Sequence, residues 1–324
     1  MNLAPRRSGT FRRHPLWVMG KPYYDLKSYY HNRFAERVYK LQIDAGFTCP
    51  NRDGSRGVGG CSYCDGRGSA LRRLGNLPTV GVQLEEGKKL YRRLRQARRF
   101  VAYFQTCTNT YGELSRLRAL YDEALAVPGV VGLAVGTRPD AMSPEVVELL
   151  SGYAAEYDVW LEYGLQSMHA ESLRRINRGH TLEDFNDAVA MLTGSRVKLC
   201  VHVIIGLPGE TREMVYQTAE FLAGLPFLHG IKIHSLLLLD GTPLYAEYQK
   251  TPFPLLSREV YVELVAGFLE RLPPEIVVQR LTAEGYRDIF IAPDWARNKL
   301  QVLQHLDLLQ RERDSYQGKL WTLG

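Results

Sequence analysis

Short apolar, β-rich segments alternate with segments of helical periodicity along this chain, and the alternation restricts the folds open to it. The strand-like segments are LQIDAG (41–46), RFVAYFQT (99–106), VGLAVGT (131–137), VWLEYGLQ (159–166), KLCVHVIIG (198–206) and GIKIHSLLLL (230–239). Strands joined by helical crossovers lie parallel, with right-handed connections. Six βα units that close, or nearly close, predict a partial TIM-like (β/α)6 barrel, and a doubly wound open sheet is the alternative.

The predicted barrel core spans residues 36–250 and is flanked by two extensions. Residues 1–35 form a basic and aromatic N-terminal extension, and residues 251–324 form a C-terminal extension of helix and strand packed on the barrel. A chain of 324 residues with 45% hydrophobic and 23% charged residues has the composition of an ordinary globular enzyme.

Charge and hydropathy exclude a membrane protein. No apolar run approaches the roughly 20 residues of a membrane span, and the basic N-terminus is followed only by Leu16–Met19 rather than by a signal core. We therefore expect a cytoplasmic protein. The net charge of +6 and the pI near 9.0 favour a polyanionic partner.

Three cysteines, Cys49, Cys61 and Cys64, lie in one Gly-rich segment after the first strand. Three soft ligands on a loop suit an iron–sulfur cluster, which normally takes four thiolates, so one iron would stay open. A zinc site needs a fourth ligand, from Cys107, Cys200 or a histidine. Cys107 and Cys200 lie in strand-like apolar runs, where free cysteine is typically buried and structural. The cysteines alone support zinc and a cluster equally, and an odd count of five disfavours disulfides.

Other polar motifs follow the predicted strands, where barrel enzymes place their chemistry. The second strand ends in YFQTCTNTY, the third in GTRPD, the fourth in LEYGLQS and the fifth in HVIIGLPGE. In the fourth strand Glu162, Gly164 and Gln166 alternate, so they point to one face. Ligand-binding groups are therefore expected together at the barrel mouth.

These motifs together resemble the radical S-adenosylmethionine (SAM) superfamily. The C-S-Y-C ending, the E-Y-G-L-Q segment, the N-R-G-H segment and the G-L-P-G turn are similar to its motifs. Eleven residues separate Cys49 from Cys61, where most of the superfamily has three. The wide spacer and the Y-F-Q-x-x-T-N-T-Y string resemble the YhcC-type group, which is related to the elongator catalytic subunit, and the resemblance covers residues 20–319.

The resemblance implies a radical SAM barrel with an iron–sulfur loop at 46–68. It implies a [4Fe–4S] cluster on Cys49, Cys61 and Cys64, with SAM as the second cofactor. The residues that it assigns to SAM are Gln105, Thr106, Glu162, Gln166, Arg178, His202 and Gly206. Glu162 has an alternative role as the partner of a barrel arginine, His202 stands where relatives often place a carboxylate, and His180 is either a ligand contact or a helix-start residue.

The implied reaction is reductive cleavage of SAM to a 5′-deoxyadenosyl radical, which abstracts hydrogen from a substrate. Kinship to the elongator subunit favours a tRNA nucleoside, with modification of the wobble uridine, and a porphyrinogen or another small molecule is the alternative. A reductant protein of the flavodoxin or ferredoxin type is the expected partner. A zinc-stabilised RNA-binding protein and an iron–sulfur electron carrier would both leave the barrel-mouth motifs without a role.

Basic and aromatic segments bear on the RNA hypothesis. A predicted helix at 87–100 carries seven Lys or Arg residues, a pattern that suits RNA phosphates or a solvated helix face. The N-terminal arginines are Arg6, Arg7, Arg12 and Arg13, and the nearby aromatic residues are Tyr23, Tyr24, Tyr29, Tyr30 and Phe34. Those rings either stack on bases or pack the N-terminal segment onto the barrel.

Overall fold

The computed structural model describes residues 14–66, 77–285 and 287–322. Seven parallel strands form one sheet in the order β1-β2-β3-β4-β5-β6-β8, and β7 pairs with β9 in a small antiparallel sheet. The strands are β1 (Val38–Ile43), β2 (Arg99–Phe104), β3 (Val130–Thr137), β4 (Asp158–Gln166), β5 (Lys198–Ile205), β6 (Leu228–Ser235), β7 (Leu238–Leu239), β8 (Val277–Arg280) and β9 (Phe290–Ala292). The α/β prediction with parallel strands is confirmed.

Ten α-helices lie in the described ranges. They are α1 (Leu26–Phe34), α2 (Val80–Arg95), α3 (Leu114–Leu125), α4 (Pro144–Tyr153), α5 (Ala170–Arg175), α6 (Leu182–Ala190), α7 (Arg212–Ala223), α8 (Pro243–Lys250), α9 (Arg258–Glu270) and α10 (Lys299–Glu312). Polar side chains cap many of their N-termini, as Thr181 does for α6 and Thr211 for α7. None of the described helices combines the length and apolar character that a membrane crossing requires.

The main sheet is curled into a partial barrel. In a flat sheet β1 and β8 would lie about 29 Å apart, since they are six strand spacings from each other. Lys40 on β1 nevertheless contacts Gln279 on β8 at 2.6 Å and Glu162 on β4 at 2.7 Å, between Nζ and the side-chain oxygens. The partial TIM-like barrel is therefore confirmed, but it has seven strands rather than six. The seventh, β8, lies in the segment that the sequence analysis assigned to the C-terminal extension.

The main core fills the space between the outer face of the sheet and the surrounding helices. On the inner face, a second cluster joins strand residues such as Trp160 and Val277 to the N-terminal segment. Tyr29 donates to Asp158 at 2.6 Å and packs edge-on to Trp160. Tyr23, Tyr24, Tyr29 and Tyr30 are all buried. These tyrosines therefore pack the N-terminal segment onto the barrel and present no surface for base stacking.

The predicted helix at 87–100 is wrong at its end. Helix α2 stops at Arg95, because Gln96 adopts a left-handed conformation with φ of 53° and its N–H closes the last turn on Arg92. Arg99 and Phe100 already belong to β2, where the Phe100 ring is fully buried. The N-terminal arginines Arg6, Arg7, Arg12 and Arg13 lie outside the described residues.

Candidate active site

A cavity of about 260 Å³ opens at the carboxyl ends of the barrel strands. Its wall brings together most of the residues that the sequence analysis selected, namely Cys49, Cys61, Cys64, Gln105, Glu162, Gln166, Arg178 and His202. Thr106 and Gly206 do not line it. Thr106 is buried beside β2, and the missing side chain of Gly206 would point at Leu256, 3.1 Å away. The φ of 98° at Gly206 explains the glycine without a ligand.

The cysteine loop follows β1 and is fixed to the segment between α5 and α6. Ser62 N–H donates to Ile176 O at 2.8 Å, and the Asn177 amide donates to Gly60 O at 2.8 Å. Asn51, which is buried in the loop, donates to Asn177 O at 2.6 Å. These bonds hold the thiols over the cavity before any ligand binds, so the site is preorganised.

Gly179 makes this docking possible. Its φ is 77°, and a Cβ at this position would lie 2.4 Å from Asn51 Oδ1. Any other residue would push the Asn51 side chain away from the loop. The glycine of the N-R-G-H segment therefore serves the cysteine loop directly.

Arg178 reaches the buried thiol. Its Nε and Nη2 donate to Gly164 O at 3.0 and 2.5 Å, and its Nη1 lies 3.4 Å from Cys61 Sγ. Burial alone would raise the pKa of Cys61, but the charges of Arg178 and Arg138 outweigh it and lower that pKa. Arg138, held by two 2.9 Å bonds to Asp140, is therefore a second cation of the site.

Sequence reasoning assigned no role to Arg138. Its guanidinium is 3% exposed and lines the cavity, and Nη1 has no hydrogen-bond partner within the described part of the chain. The sequence feature that could have identified Arg138 is its position in GTRPD, directly after β3, where a barrel positions functional groups.

His180 is buried but does not line the cavity. Its Nε2 lies 3.1 Å from Gly164 O and its Nδ1 3.1 Å from Thr181 O. Burial, helped by the charge of Arg178, lowers the pKa of His180 to about 4. His180 thus stays neutral at pH 7 and braces the same carbonyl that Arg178 holds.

Strand β4 presents Glu162, Gly164 and Gln166 to the cavity, as their alternation predicted. Gly164 has to lack a side chain, since a Cβ there would lie 2.7 Å from Gln166 Nε2 and 2.8 Å from Arg178 Nη2. Gln166 adopts φ of 77° where the pairing with β5 is irregular. The irregularity turns the end of the strand into the cavity mouth.

Glu162 is the centre of a buried charge network on the cavity floor. Its carboxylate accepts from Lys40 at 2.7 Å, from His202 Nε2 at 3.0 Å and from Lys232, which also donates to the Tyr103 hydroxyl at 3.0 Å. Burial would raise the pKa of Glu162, but Lys232 and Lys40 hold it well below the usual range. Glu162 therefore pairs with two lysines, whereas the alternative role foresaw an arginine.

Burial also lowers the pKa of Lys232 to about 8, against the opposing pull of Glu162. Burial, the larger cause, and the charge of Lys232 lower the pKa of His202 to about 4. His202 therefore enters the network as a neutral hydrogen-bond donor.

We expect His202 to make the protein less stable in mild acid. An unfolded histidine binds its proton near pH 6.5, while the folded one stays neutral to about pH 4. Stability is therefore lost as pH falls through this window, by about 2 to 3 kcal/mol for this residue. Urea unfolding between pH 7 and 4.5 would measure it.

The His202→Gln variant cannot titrate but keeps an N–H donor, so its stability should fall less steeply over that range. His31→Gln, at an exposed position on α1, is the matched control. Equal slopes for the parent and His202→Gln would contradict the prediction.

The two remaining cysteines differ from each other. Cys200 is fully buried, as predicted. Cys107 was expected to be buried and structural, but it is only half-buried, has φ of 63° and lines the cavity. The predicted strand at 99–106 ends at Phe104, so Cys107 lies in the loop beyond the sheet and not in its core.

The cysteine loop fits a cluster better than a single ion. Four-coordinate zinc with bonds near 2.3 Å places its sulfur atoms about 3.8 Å apart. Among the described residues, Glu162, Cys200 and His202 have ligand atoms within 4.8 Å of one another, and the three loop cysteines form no such group. Three thiols around one cavity at a wider spacing suit an iron–sulfur cluster. In the group of Glu162, Cys200 and His202, the carboxylate of Glu162 already accepts hydrogen bonds from Lys40 and Lys232.

Comparison with known proteins agrees with this chemistry. A family model described as Radical SAM superfamily matches residues 49–222, more than half of the chain, and a Radical SAM C-terminal domain model matches residues 228–309. Protein YhcC of Escherichia coli is 34% identical over 293 residues, covering 89% of this chain and 93% of that protein.

Two more distant likenesses involve the elongator relatives. The tRNA uridine(34) acetyltransferase of Methanocaldococcus infernus is 27% identical over 158 residues, which cover 47% of this chain and 28% of that protein. The structure of Elp3 from the same archaeon, with an N-terminal deletion, has a TM-score of 0.63 at 18% identity. It covers 86% of this chain and 64% of that chain, so the likeness concerns the fold of the shared part.

Proposed function

This chain belongs to the radical SAM superfamily, in the group that includes YhcC of Escherichia coli, and from that premise we propose that its substrate is the wobble uridine of tRNA. It is a radical SAM enzyme, and the cofactors of this superfamily are a [4Fe–4S] cluster and SAM. The proposal concerns the substrate and the roles of individual residues.

The observation that carries the proposed site is the convergence of the three thiols with Arg178 in one cavity. Cys49, Cys61 and Cys64 would hold the cluster, and Arg178 stabilises the thiolate form of Cys61. When bound, the cluster and SAM together supply a carbon radical that removes hydrogen from the substrate.

The chain's own residues orient the reactants. Gln105, Gln166 and Glu162 offer hydrogen-bonding groups along the cavity wall, and we propose that they contact SAM. Tyr63 packs against the apolar cluster that includes Ile204 and Leu236, and because all three line the cavity, the cysteine turn adds to the apolar part of its wall. Thr106 and Gly206 would act only through the backbone around them.

Support for tRNA comes from the name of one relative and from the charge around the cavity mouth. Arg52 and Arg56 lie on the cysteine loop and Arg174 lies at the end of α5; all three are exposed, and Arg52 lines the cavity. The basic C-terminal end of α2 gives less support to a tRNA substrate. That helix leads into the start of β2, so Arg93 and Arg95 lie at the opposite end of the barrel.

The test is an anaerobic assay with reconstituted protein, dithionite and SAM. We expect 5′-deoxyadenosine by mass spectrometry, and we expect unfractionated tRNA from cells that lack this protein to raise its yield. A mass change in the wobble nucleoside of digested tRNA would identify the product. Arg56→Ser should weaken tRNA binding, while Arg93→Ser, the matched control, should leave it unchanged.

Each contrary outcome has a distinct meaning. If 5′-deoxyadenosine forms but tRNA neither raises its yield nor changes mass, the substrate is a small molecule, and a porphyrinogen is the first to assay. If the cluster forms and no 5′-deoxyadenosine appears, the proposed function is wrong. We further propose flavodoxin or ferredoxin as the electron donor, which replaces dithionite in the same assay.

A further inference from the structure

The floor of the cavity carries a row of nitrogen-bearing side chains across three neighbouring strands. His202 on β5, Lys232 on β6 and Arg280 on β8 are partners in the sheet register, and all three line the cavity. His234, two residues beyond Lys232, faces the same side of β6, and its ring packs at a tilt against that of His202, with the centroids 5.3 Å apart. Only His202 among these belongs to the predicted SAM residues.

Positive charge exceeds negative charge in this region. The carboxylate of Glu162 accepts from both Lys40 and Lys232, and the charge of Arg280 acts on His202 and Lys232 from the neighbouring strand. The other carboxylate near Arg280 is Glu284, at 3.9 Å from Arg280 Nη1, and it binds Lys299 at 2.9 Å.

The histidines add donors without adding charge. Burial and neighbouring cations keep the pKa values of His202 and His234 below the usual range, so both rings are neutral at pH 7. Within the described residues, His234 Nε2 is buried without a hydrogen-bond partner. A surplus of buried and partly buried cations and a buried polar atom without a partner both cost stability, and an anion bound between them would offset that cost.

We propose that this floor is a substrate subsite for a small oxyanion, a carboxylate or a phosphate, held by Arg280, Lys232 and His234. The planar guanidinium of Arg280 matches two oxygens of such a group. Leu236, Leu237 and Leu239 line the adjacent wall and suit the uncharged remainder of the substrate. The inference rests on the proposed function, since it concerns the substrate of the same cavity.

The test measures anion binding to the reconstituted protein without reductant, by isothermal titration calorimetry and thermal unfolding. Inorganic phosphate and acetate are the probes, with sodium chloride holding the ionic strength constant. We expect saturable binding of at least one probe. Arg280→Gln should raise its apparent Kd about tenfold or more, because a charge-assisted contact is lost.

Arg271→Gln is the matched control, since the Arg271 side chain is 21% exposed, against 24% for Arg280, but lies outside the cavity. It should bind both probes as the parent does. If circular dichroism shows that Arg280→Gln does not fold, His234→Leu is measured instead. This variant removes a proposed hydrogen-bond donor to the anion and should also weaken binding of the probe. Tighter binding of phosphate than acetate would agree with a nucleotide of tRNA, whereas the reverse order would indicate a carboxylate substrate and speak against tRNA.

Three results would overturn the inference. In the first, phosphate and acetate bind no better than chloride. In the second, Arg271→Gln weakens the binding of these probes as much as Arg280→Gln does. In the third, Arg280→Gln weakens SAM binding as strongly as Gln166→Ala, which removes a proposed SAM contact, in which case the anion is the carboxylate of SAM. Because no SAM is cleaved in these measurements, such a failure leaves the assay for 5′-deoxyadenosine unaffected.

Discussion

Replacement of Cys61 by alanine is expected to abolish the iron–sulfur cluster, and with it the formation of 5′-deoxyadenosine. Cys61 is the buried thiol of the three, and Arg178 at 3.4 Å favours its thiolate form, which is the form that binds iron. After anaerobic reconstitution, iron should fall from about four atoms per chain to near zero. Iron and sulfide assays on the purified variant would check this.

Cys49→Ala and Cys64→Ala should have the same effect, because both thiols line the same cavity. Cys200→Ala is the matched control: Cys200 is buried in β5, so its loss affects packing and leaves the iron content unchanged. Cys107→Ala is the sharper comparison, since Cys107 also lines the cavity. Loss of iron in Cys107→Ala would overturn the assignment of three ligands.

The barrel could be predicted because each of its first six strands is an apolar run and a helical segment separates each of them from the next. The seventh strand escaped prediction because Val277–Arg280 is only four residues long and follows Pro273 and Pro274. Such a short strand is stabilised by pairing with β6 and by the bond from Val278 N–H to Tyr24 O at 2.7 Å, which are tertiary effects that the local sequence does not encode.

The cysteine ligands were predictable because they are close together in the sequence, whereas the charge network was not. Lys40, Glu162 and Lys232 are far apart in the chain and meet only when the sheet curls. The role of the N-terminal tyrosines could not be predicted from the sequence either. Their pattern suited both base stacking and packing, and only the barrel interior that receives Tyr29 distinguishes the two.

Replacement of Glu162 by glutamine is expected to destabilise the protein by about 3 to 5 kcal/mol, because it leaves Lys40 and Lys232 buried without their shared counter-charge. Glutamine keeps the shape of the side chain, so packing is little changed. Urea unfolding at pH 7 would measure the loss. Glu220→Gln, which breaks an exposed pair with Arg271, is the control and should cost less than about 1 kcal/mol.

The destabilisation should also depend on pH. The pKa of Lys232 is about 8 in the folded protein, below the ordinary lysine value, so folded Lys232 releases its proton before the unfolded chain does. Stability should therefore rise as pH increases from 7 towards 9, and more steeply in Glu162→Gln, where loss of the carboxylate lowers the Lys232 pKa further. If the loss of stability in Glu162→Gln did not change with pH, the charge of Lys232 would not be its cause.

A double variant separates the structural role of Glu162 from contact with SAM. Glu162→Gln with Lys232→Met removes the counter-charge and one lysine together, and it should recover part of the stability lost in Glu162→Gln alone. If Glu162 acts only through the network, SAM affinity should recover together with stability. If Glu162 contacts SAM, as we propose, the double variant should be stable and still bind SAM weakly. Recovery of both properties would contradict the proposed contact, because Glu162 would then serve the cavity floor alone.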